Sequence, residues 1–179
     1  KAVMVVFNGS LSTRVGQGMA LVIIHIAALL FLSAAFLIKK ERPNLKMLPL
    51  WMYTGGLIGI FTTIFNNAAF GSISVSAIMA LSLLGESISG LLADHYGLIG
   101  LPVRRFRIKK LWGGLMTMIG IAWMLNEFRV IPVVISFLSG VTLLFSRLVN
   151  SRLSRETGEK TSAWCSYLAG LLGALLLLL

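Results

Sequence analysis

The chain has 179 residues, of which 57% are hydrophobic and 12% charged, against about 25% charged in an ordinary soluble domain. With a mean hydropathy of +0.90, it is excluded as a soluble globular domain and is read as an integral membrane protein. The net charge of +10 does not mark a nucleic-acid binder, because the basic residues sort into short breaks between apolar runs, and the single cysteine, Cys165, implies no disulfide, redox or zinc chemistry. No metal and no cofactor is expected.

Apolar runs long enough to cross a bilayer as helices predict seven transmembrane segments, at residues 1 to about 12, 19–38, 49–69, 72–94, 110–126, 130–149 and 162–179. The first begins at Lys1 rather than at Met and the last ends in LLGALLLLL, so both ends are expected to be cut from a longer chain. Asn8 sits near the end of the first segment. In the second, His25 lies in VIIHIAALL, where it is either a packed or interfacial ring or a proton relay.

The third segment carries Gly55, Gly59, Thr62 and Asn66 on one stripe, with Thr63 and Asn67 beside it. Small residues there let a neighbouring helix approach closely, and each amide needs a partner in lipid. The amides serve either helix contacts or a path from outside toward a deeper site. The break AAFGSIS is so short that the third and fourth helices are expected to be antiparallel neighbours.

On the fourth segment Ser82, Glu86, Ser89 and Ala93 recur at helical spacing on one face, with Gly85 and Gly90 alongside. A charged acid facing lipid at that depth costs at least about 2.5–3.5 kcal/mol, so Glu86 is expected to face protein or a wet cavity, or to be protonated. One carboxylate that accepts either a proton or a cation couples the two, since loading one expels the other. The alternative is a structural acid that makes one interhelical hydrogen bond. Asp94 and Glu127 fall at helix ends, and Glu41, Glu156 and Glu159 lie in basic breaks. Pro132 sits in the first turn of the sixth segment, where a missing N–H costs little.

Fourteen of the sixteen basic residues fall in alternate breaks, around 39–48, 95–109 and 147–161 and at Lys1; only Arg14 and Arg129 lie on the other side. The heavy side is cytoplasmic by the positive-inside rule, which puts the N-terminus inside and the protein in the bacterial inner membrane as a multi-pass protein. These basic breaks are expected to touch anionic lipid. Trp51, Trp112, Trp123 and Trp164 fit interfacial anchoring.

A shift of 142 residues lays residues 8–30 over 150–172, with seven of 23 positions identical. Asn8 over Asn150, Ser12 over Ser154 and Gly16 over Gly158 keep one polar pattern at one spacing. Such a shift spans five crossings, so the copies are expected in opposite orientations, as in inverted-repeat transporters. The first repeat then covers 1–126, and 127–179 is the first two helices of the second; a complete protein would have ten helices, of which seven are here.

The stretches NGSLSTRVG, GGLIGIFTTIFNNAAFGSISVSAIMALSLLGESISGLLADHYGLIGLP and KKLWGGLMTMIGIAWML resemble the YdcZ-like family of the drug/metabolite transporter superfamily over residues 1 to about 126. The resemblance implies an all-α polytopic bundle of the EamA-like kind, made of five-helix units, in a bacterial inner-membrane transporter. Glutamine is expected in the family where Glu86 stands after Gly85, so proton coupling through Glu86 would be particular to this chain.

The leading expectation is therefore a secondary transporter that exports small organic cations or metabolites against protons by alternating access. Glu86, Ser82, Ser89, Asn66, Asn67, Thr62, Asn8 and His25 are its candidate substrate or proton site. Its partners are a small-molecule substrate, protons and membrane lipid, with a homodimer left open. The competing expectation is a non-transporting scaffold or lipid-interacting subunit whose polar stripe only holds helices together. No Ser/His/Asp, zinc or paired-carboxylate arrangement falls at membrane depth, so an enzyme is not expected.

Overall fold

The structure is a computed structural model that describes residues 2–100, 102–103, 109–124 and 129–178. Lys1, Arg104, Arg105, Arg107 and Glu127 lie outside the described residues. Among the described residues the chain forms seven α-helices: α1 (Ala2–Val15), α2 (Gln17–Ile38), α3 (Gly55–Ala69), α4 (Val75–Tyr96), α5 (Lys109–Met124), α6 (Val130–Thr157) and α7 (Glu159–Leu176). Short 3-10 turns at Leu50–Tyr53 and Leu98–Gly100 precede α3 and follow α4. Three helices, α2, α4 and α6, are long and apolar enough to cross a membrane, while the apolar run Trp112–Trp123 of α5 is shorter.

Two boundaries differ from expectation. The run 49–69 does not form one helix: Pro49 starts a 3-10 turn that Thr54 closes, its hydroxyl donating to the Trp51 carbonyl at 2.7 Å, and α3 begins only at Gly55. The expected break at 147–161 is mostly helix, because α6 runs 28 residues to Thr157. Its last turns keep an apolar face at helical spacing through the buried Val149, Leu153 and Thr157, while Ser151, Arg155 and Glu156 are exposed.

The α1–α2 and α6–α7 breaks are single glycines. Gly16 has φ 85°, ψ 155° and Gly158 has φ 88°, ψ 157°, a region open essentially to glycine alone. The hydrogen bonds around them also match. Gly16 N–H donates to the Ser12 carbonyl (3.0 Å) and Gly158 N–H to that of Ser154 (2.8 Å), while each glycine carbonyl accepts from the residue four positions on, Ala20 or Ser162 (3.0 Å each). These pairs are the ones the 142-residue shift superimposes. Helix α2 ends differently, on Lys40 at φ 52°, with Lys40 N–H donating to Leu37 (3.1 Å) and Glu41 N–H to Phe36 (3.0 Å).

The chain divides into two compact units, one of Lys1–Gly9 and Thr62–Leu144, the other of Ser10–Phe61 and Phe145–Leu179. In the first unit Leu81, Leu84 and Ile121 form a core with Val133 and Phe137 packed against it, joining α4, α5 and α6. Helices α4 and α6 cross in backbone contact. A Cβ on Gly85 would strike the Phe137 carbonyl, and one on Gly140 would strike the Ser82 carbonyl and lie 2.7 Å from the Glu86 backbone nitrogen. In the second unit α2 packs on α7, with the His25 ring over Gly170, and Trp164 donates its indole N–H to Ser33 Oγ at 3.1 Å. Gly55 and Gly59 of α3 pack in this unit against Asn150 and Ser146, and Ser146 donates to the Gly55 carbonyl at 2.8 Å.

The two matched breaks yield a prediction. Gly16 and Gly158 have open space where a Cβ would go, so replacement acts through the backbone alone. Gly16→Ala and Gly158→Ala should each lose about 1–3 kcal/mol in denaturant unfolding from detergent micelles. Gly113→Ala, inside α5 with equally open surroundings, should be neutral or gain up to about 1 kcal/mol.

Candidate functional site

Seven of the eight sequence-selected residues, Glu86, Ser82, Ser89, Asn66, Asn67, Thr62 and Asn8, belong to the first unit; His25 belongs to the second. The N-terminus of α4 is fixed by Ser74, whose hydroxyl accepts from Ala77 N–H at 3.2 Å, and its end by Gly97 at φ 62°. Between these caps Glu86 falls halfway along 22 helical residues. Ser82, Gly85 and Ser89 on the neighbouring face are buried against α6, and Glu86 flanks that face half-buried.

The serines beside Glu86 are not equally available to a ligand. Ser89 donates to the Gly85 carbonyl at 2.6 Å, with the Glu86 carbonyl at 3.3 Å, so its hydroxyl is used on its own helix. Ser82 is 1% exposed and its carbonyl sits under Gly140. On α3, Thr62 meets Thr142 of α6 at 2.9 Å. Thr142 spends its proton on the Leu138 and Ser139 carbonyls (3.1 and 3.0 Å), so Thr62 is the donor of this interhelical bond. One turn further along α3, Asn66 Oδ1 and Asn67 Nδ2 are buried with no hydrogen-bond partner among the described residues.

Sequence reasoning missed the polar stripe of α6. Ser136, Ser139 and Thr142 recur every third residue, both serines are 0% exposed, and Ser136 Oγ is a third buried atom with no hydrogen-bond partner among the described residues. The spacing was visible in SFLSGVT, but only packing shows that this face is enclosed.

His25 is 7% exposed. A carbonyl can only accept, so its Nδ1 carries the proton that bonds the Leu21 carbonyl at 2.7 Å. Its ring stands edge-on to Tyr167 at 6.0 Å and lies over Gly170. These contacts pack the ring between α2 and α7. Asn150, the mate of Asn8, is a clamp between α6 and α7: its Oδ1 accepts from Ser166, and its carbonyl from Ser162 at 2.9 Å.

Two cavities flank α4 within the first unit. One of about 530 Å³ is walled by apolar side chains of α4, α5 and α6, among them Leu84, Ile88, Ile121 and Phe137. The other, about 470 Å³, lies between α4 and α5 and includes Ser87 and Thr117. Glu86 lines neither.

In the second unit the segment after α2 is tied to the α6–α7 break. Lys160 donates to Glu41, Lys46 lies 3.5 Å from Glu156, and Asn44 N–H donates to Thr161 Oγ1 at 3.2 Å. The Lys160 hydrogen bond holds the Glu41 carboxyl below its usual range. The stability the pair adds is present above that range and fades as pH falls through the lowered value, and solvent exposure of both side chains keeps it small.

Apolar spans joined by short connections, helix crossings made at small residues and polar side chains turned inward define a helical membrane protein. The family model described as "Putative inner membrane exporter, YdcZ" matches residues 1–123, and the chain belongs to that family. The class is a membrane transporter of the inner membrane, not an enzyme family. No curated protein and no solved structure matches the chain.

The Thr62–Thr142 bond is a direct polar tie between α3 and α6 in the first unit. Thr62→Val should lose about 0.6–1.7 kcal/mol in detergent unfolding, and Thr62→Val/Thr142→Val no more than either single change. Fully additive losses would mean that the hydroxyls are not coupled.

Proposed function

We propose that the protein is a secondary active exporter of small organic cations or metabolites, driven by protons through alternating access, with Glu86 as the coupling acid. The observation that carries this reading is the place of Glu86: a carboxylate midway along a membrane-length apolar helix, half-buried beside the α4–α6 crossing. Intramembrane acids are costly and mark ion and substrate paths. The family's description as an exporter supports the same class.

The architecture under this reading is two inverted five-helix repeats, 1–126 and the part of the second within 127–179, with the site near the midplane between them. The like geometry of Gly16 and Gly158 supports a repeat at that shift. The N-terminus is taken as cytoplasmic. The contacts of Glu41, Asn44 and Lys46 with Lys160, Thr161 and Glu156 support the alternation on which this rests, because they join two of the basic breaks that must share a side, and the positive-inside rule makes that side cytoplasmic.

The competing reading, in which Glu86 only makes a structural hydrogen bond, draws on its place beside the α4–α6 backbone crossing, where a neighbouring helix lies close enough to be tied. Glu86→Gln separates the two. It keeps the shape but cannot exchange a proton, so in liposomes it should abolish uptake or release of a transported cation driven by a pH gradient while leaving the melting profile unchanged. Cation binding by the wild type should weaken as pH falls, because protons compete for the same oxygens. Transport by Glu86→Gln equal to wild type, with the same pH dependence, would sink the coupling role.

Orientation is checked with single cysteines at Asn44 and Ser72 in a Cys165→Ser background. An impermeant maleimide applied to intact spheroplasts should label position 72 and spare position 44. Labelling of both, or of 44 alone, contradicts the topology.

A further inference from the structure

Several hydroxyls inside the first unit satisfy themselves on their own helix, as Ser89, Ser139 and Thr142 do with carbonyls three or four residues back. Asn66 Oδ1, Asn67 Nδ2 and Ser136 Oγ are exceptions: buried, with no hydrogen-bond partner among the described residues. Ser136 is 0% and Asn67 9% exposed. In hydrocarbon an unmet polar group is expensive, so three in one unit require a reason.

Their placement supplies one. The connection 70–74 between α3 and α4 is short, which makes the two an antiparallel hairpin. Helix α4 runs in the same sense as α6, since Gly85 meets Phe137 and Gly140 while Gly90 meets Leu144. Helix α3 is therefore antiparallel to α6. Starting from the Thr62–Thr142 bond, Asn66 and Asn67 lie about 6 and 7.5 Å further along α3, and Ser136 about 9 Å back along α6 in the same direction, at 1.5 Å per residue. The three thus share one level to within about 3 Å.

Together they offer one acceptor, the Asn66 amide oxygen, and two donors, the Asn67 amide and the Ser136 hydroxyl. Their complement has one proton to give and two lone pairs, which describes an alcohol hydroxyl. An ammonium has no lone pair for Asn67, and a carboxylate has no proton for Asn66. We propose that Asn66, Asn67 and Ser136 form a binding site for a hydroxyl group of the transported molecule. This rests on the transporter reading above and narrows it. The backbone of Glu86 lies beside Gly140, about 6 Å along α6 from Ser136, so a cation held by Glu86 and a hydroxyl held here would belong to a hydroxylated amine with a short linker.

Two matched probe pairs test this on the purified full chain in lipid nanodiscs: choline against propyltrimethylammonium, and ethanolamine against propylamine, each analogue replacing the hydroxyl by a methyl. In calorimetric titration the hydroxylated member of each pair should bind at least about tenfold tighter, because the methyl leaves the buried polar groups unmet. Ser136→Ala and Asn66→Ala should each erase that ratio while leaving the ligand-free melting temperature unchanged or raised, since deleting an orphaned polar atom removes a penalty. Glu86→Gln should weaken both members alike and keep the ratio. A ratio kept in Glu86→Gln without any weakening counts against the cation role of Glu86 and leaves the hydroxyl site standing. Equal binding within both pairs, no binding of either hydroxylated probe, or a ratio that survives in both Ser136→Ala and Asn66→Ala overturns the proposal.

Discussion

Helices in a bilayer are not pushed together by water, since lipid tails are as apolar as the side chains they meet. What holds them is close contact, and close contact needs positions with no side chain in the way. In the first unit that requirement falls on Gly85 and Gly140, where α4 and α6 touch backbone to backbone. The crossing determines which face of α4 is buried, and hence that Ser82 and Ser89 are enclosed while Glu86 stands at the margin of the contact. It also leaves the other faces of α4 to border the two cavities and the Leu81–Leu84–Ile121 core. The place of the carboxylate follows from where two glycines let a neighbour in.

Polar groups in this interior fall into three kinds, and the distinction is chemical. Ser89, Ser139 and Thr157 return their protons to carbonyls of their own helices and so cost little. Thr62, Ser146 and Ser166 bond a different helix and act as ties. Asn66, Asn67 and Ser136 do neither within the described residues. The first two kinds explain how a membrane protein tolerates so many hydroxyls. The third is what a site for a polar solute needs before the solute arrives.

The two single-glycine breaks are alike in geometry as well as in sequence. A backbone near φ 85–88° and ψ 155–157° at both Gly16 and Gly158, with the same pattern of flanking hydrogen bonds, recurs at the interval that aligns Asn8 with Asn150. The surrounding side chains differ. Ser162 and Ser166 clamp Asn150, whereas their counterparts by the same shift are Ala20 and Ile24. The backbone device is common to both breaks, and the polar clamp is made at one of them.

The class of protein was legible in composition alone, because apolar runs of bilayer length separated by basic breaks have no other stable solvent. The helical stripe through Ser82, Glu86 and Ser89 and the glycine pattern at 16 and 158 were equally plain, since both depend on local spacing. What local spacing does not carry is partnership. Ser89 is a ligand candidate by spacing, and only the structure shows its hydroxyl donating to the Gly85 carbonyl. His25 is left between relay and packed ring by its sequence, and only the fold shows Gly170 opposite it. Ser136 looked like any serine in a helix until the packing of α6 buried it unpartnered. The ends of helices escaped as well, because the apolar run at 49–69 gives no warning that Pro49 and Thr54 close a separate turn, and the charged tail of α6 hides an inward face of Val149, Leu153 and Thr157. Sequence determines what each segment can bury, by its own periodicity; only the tertiary structure decides what it is buried against, because that depends on residues far apart in the chain meeting at one place.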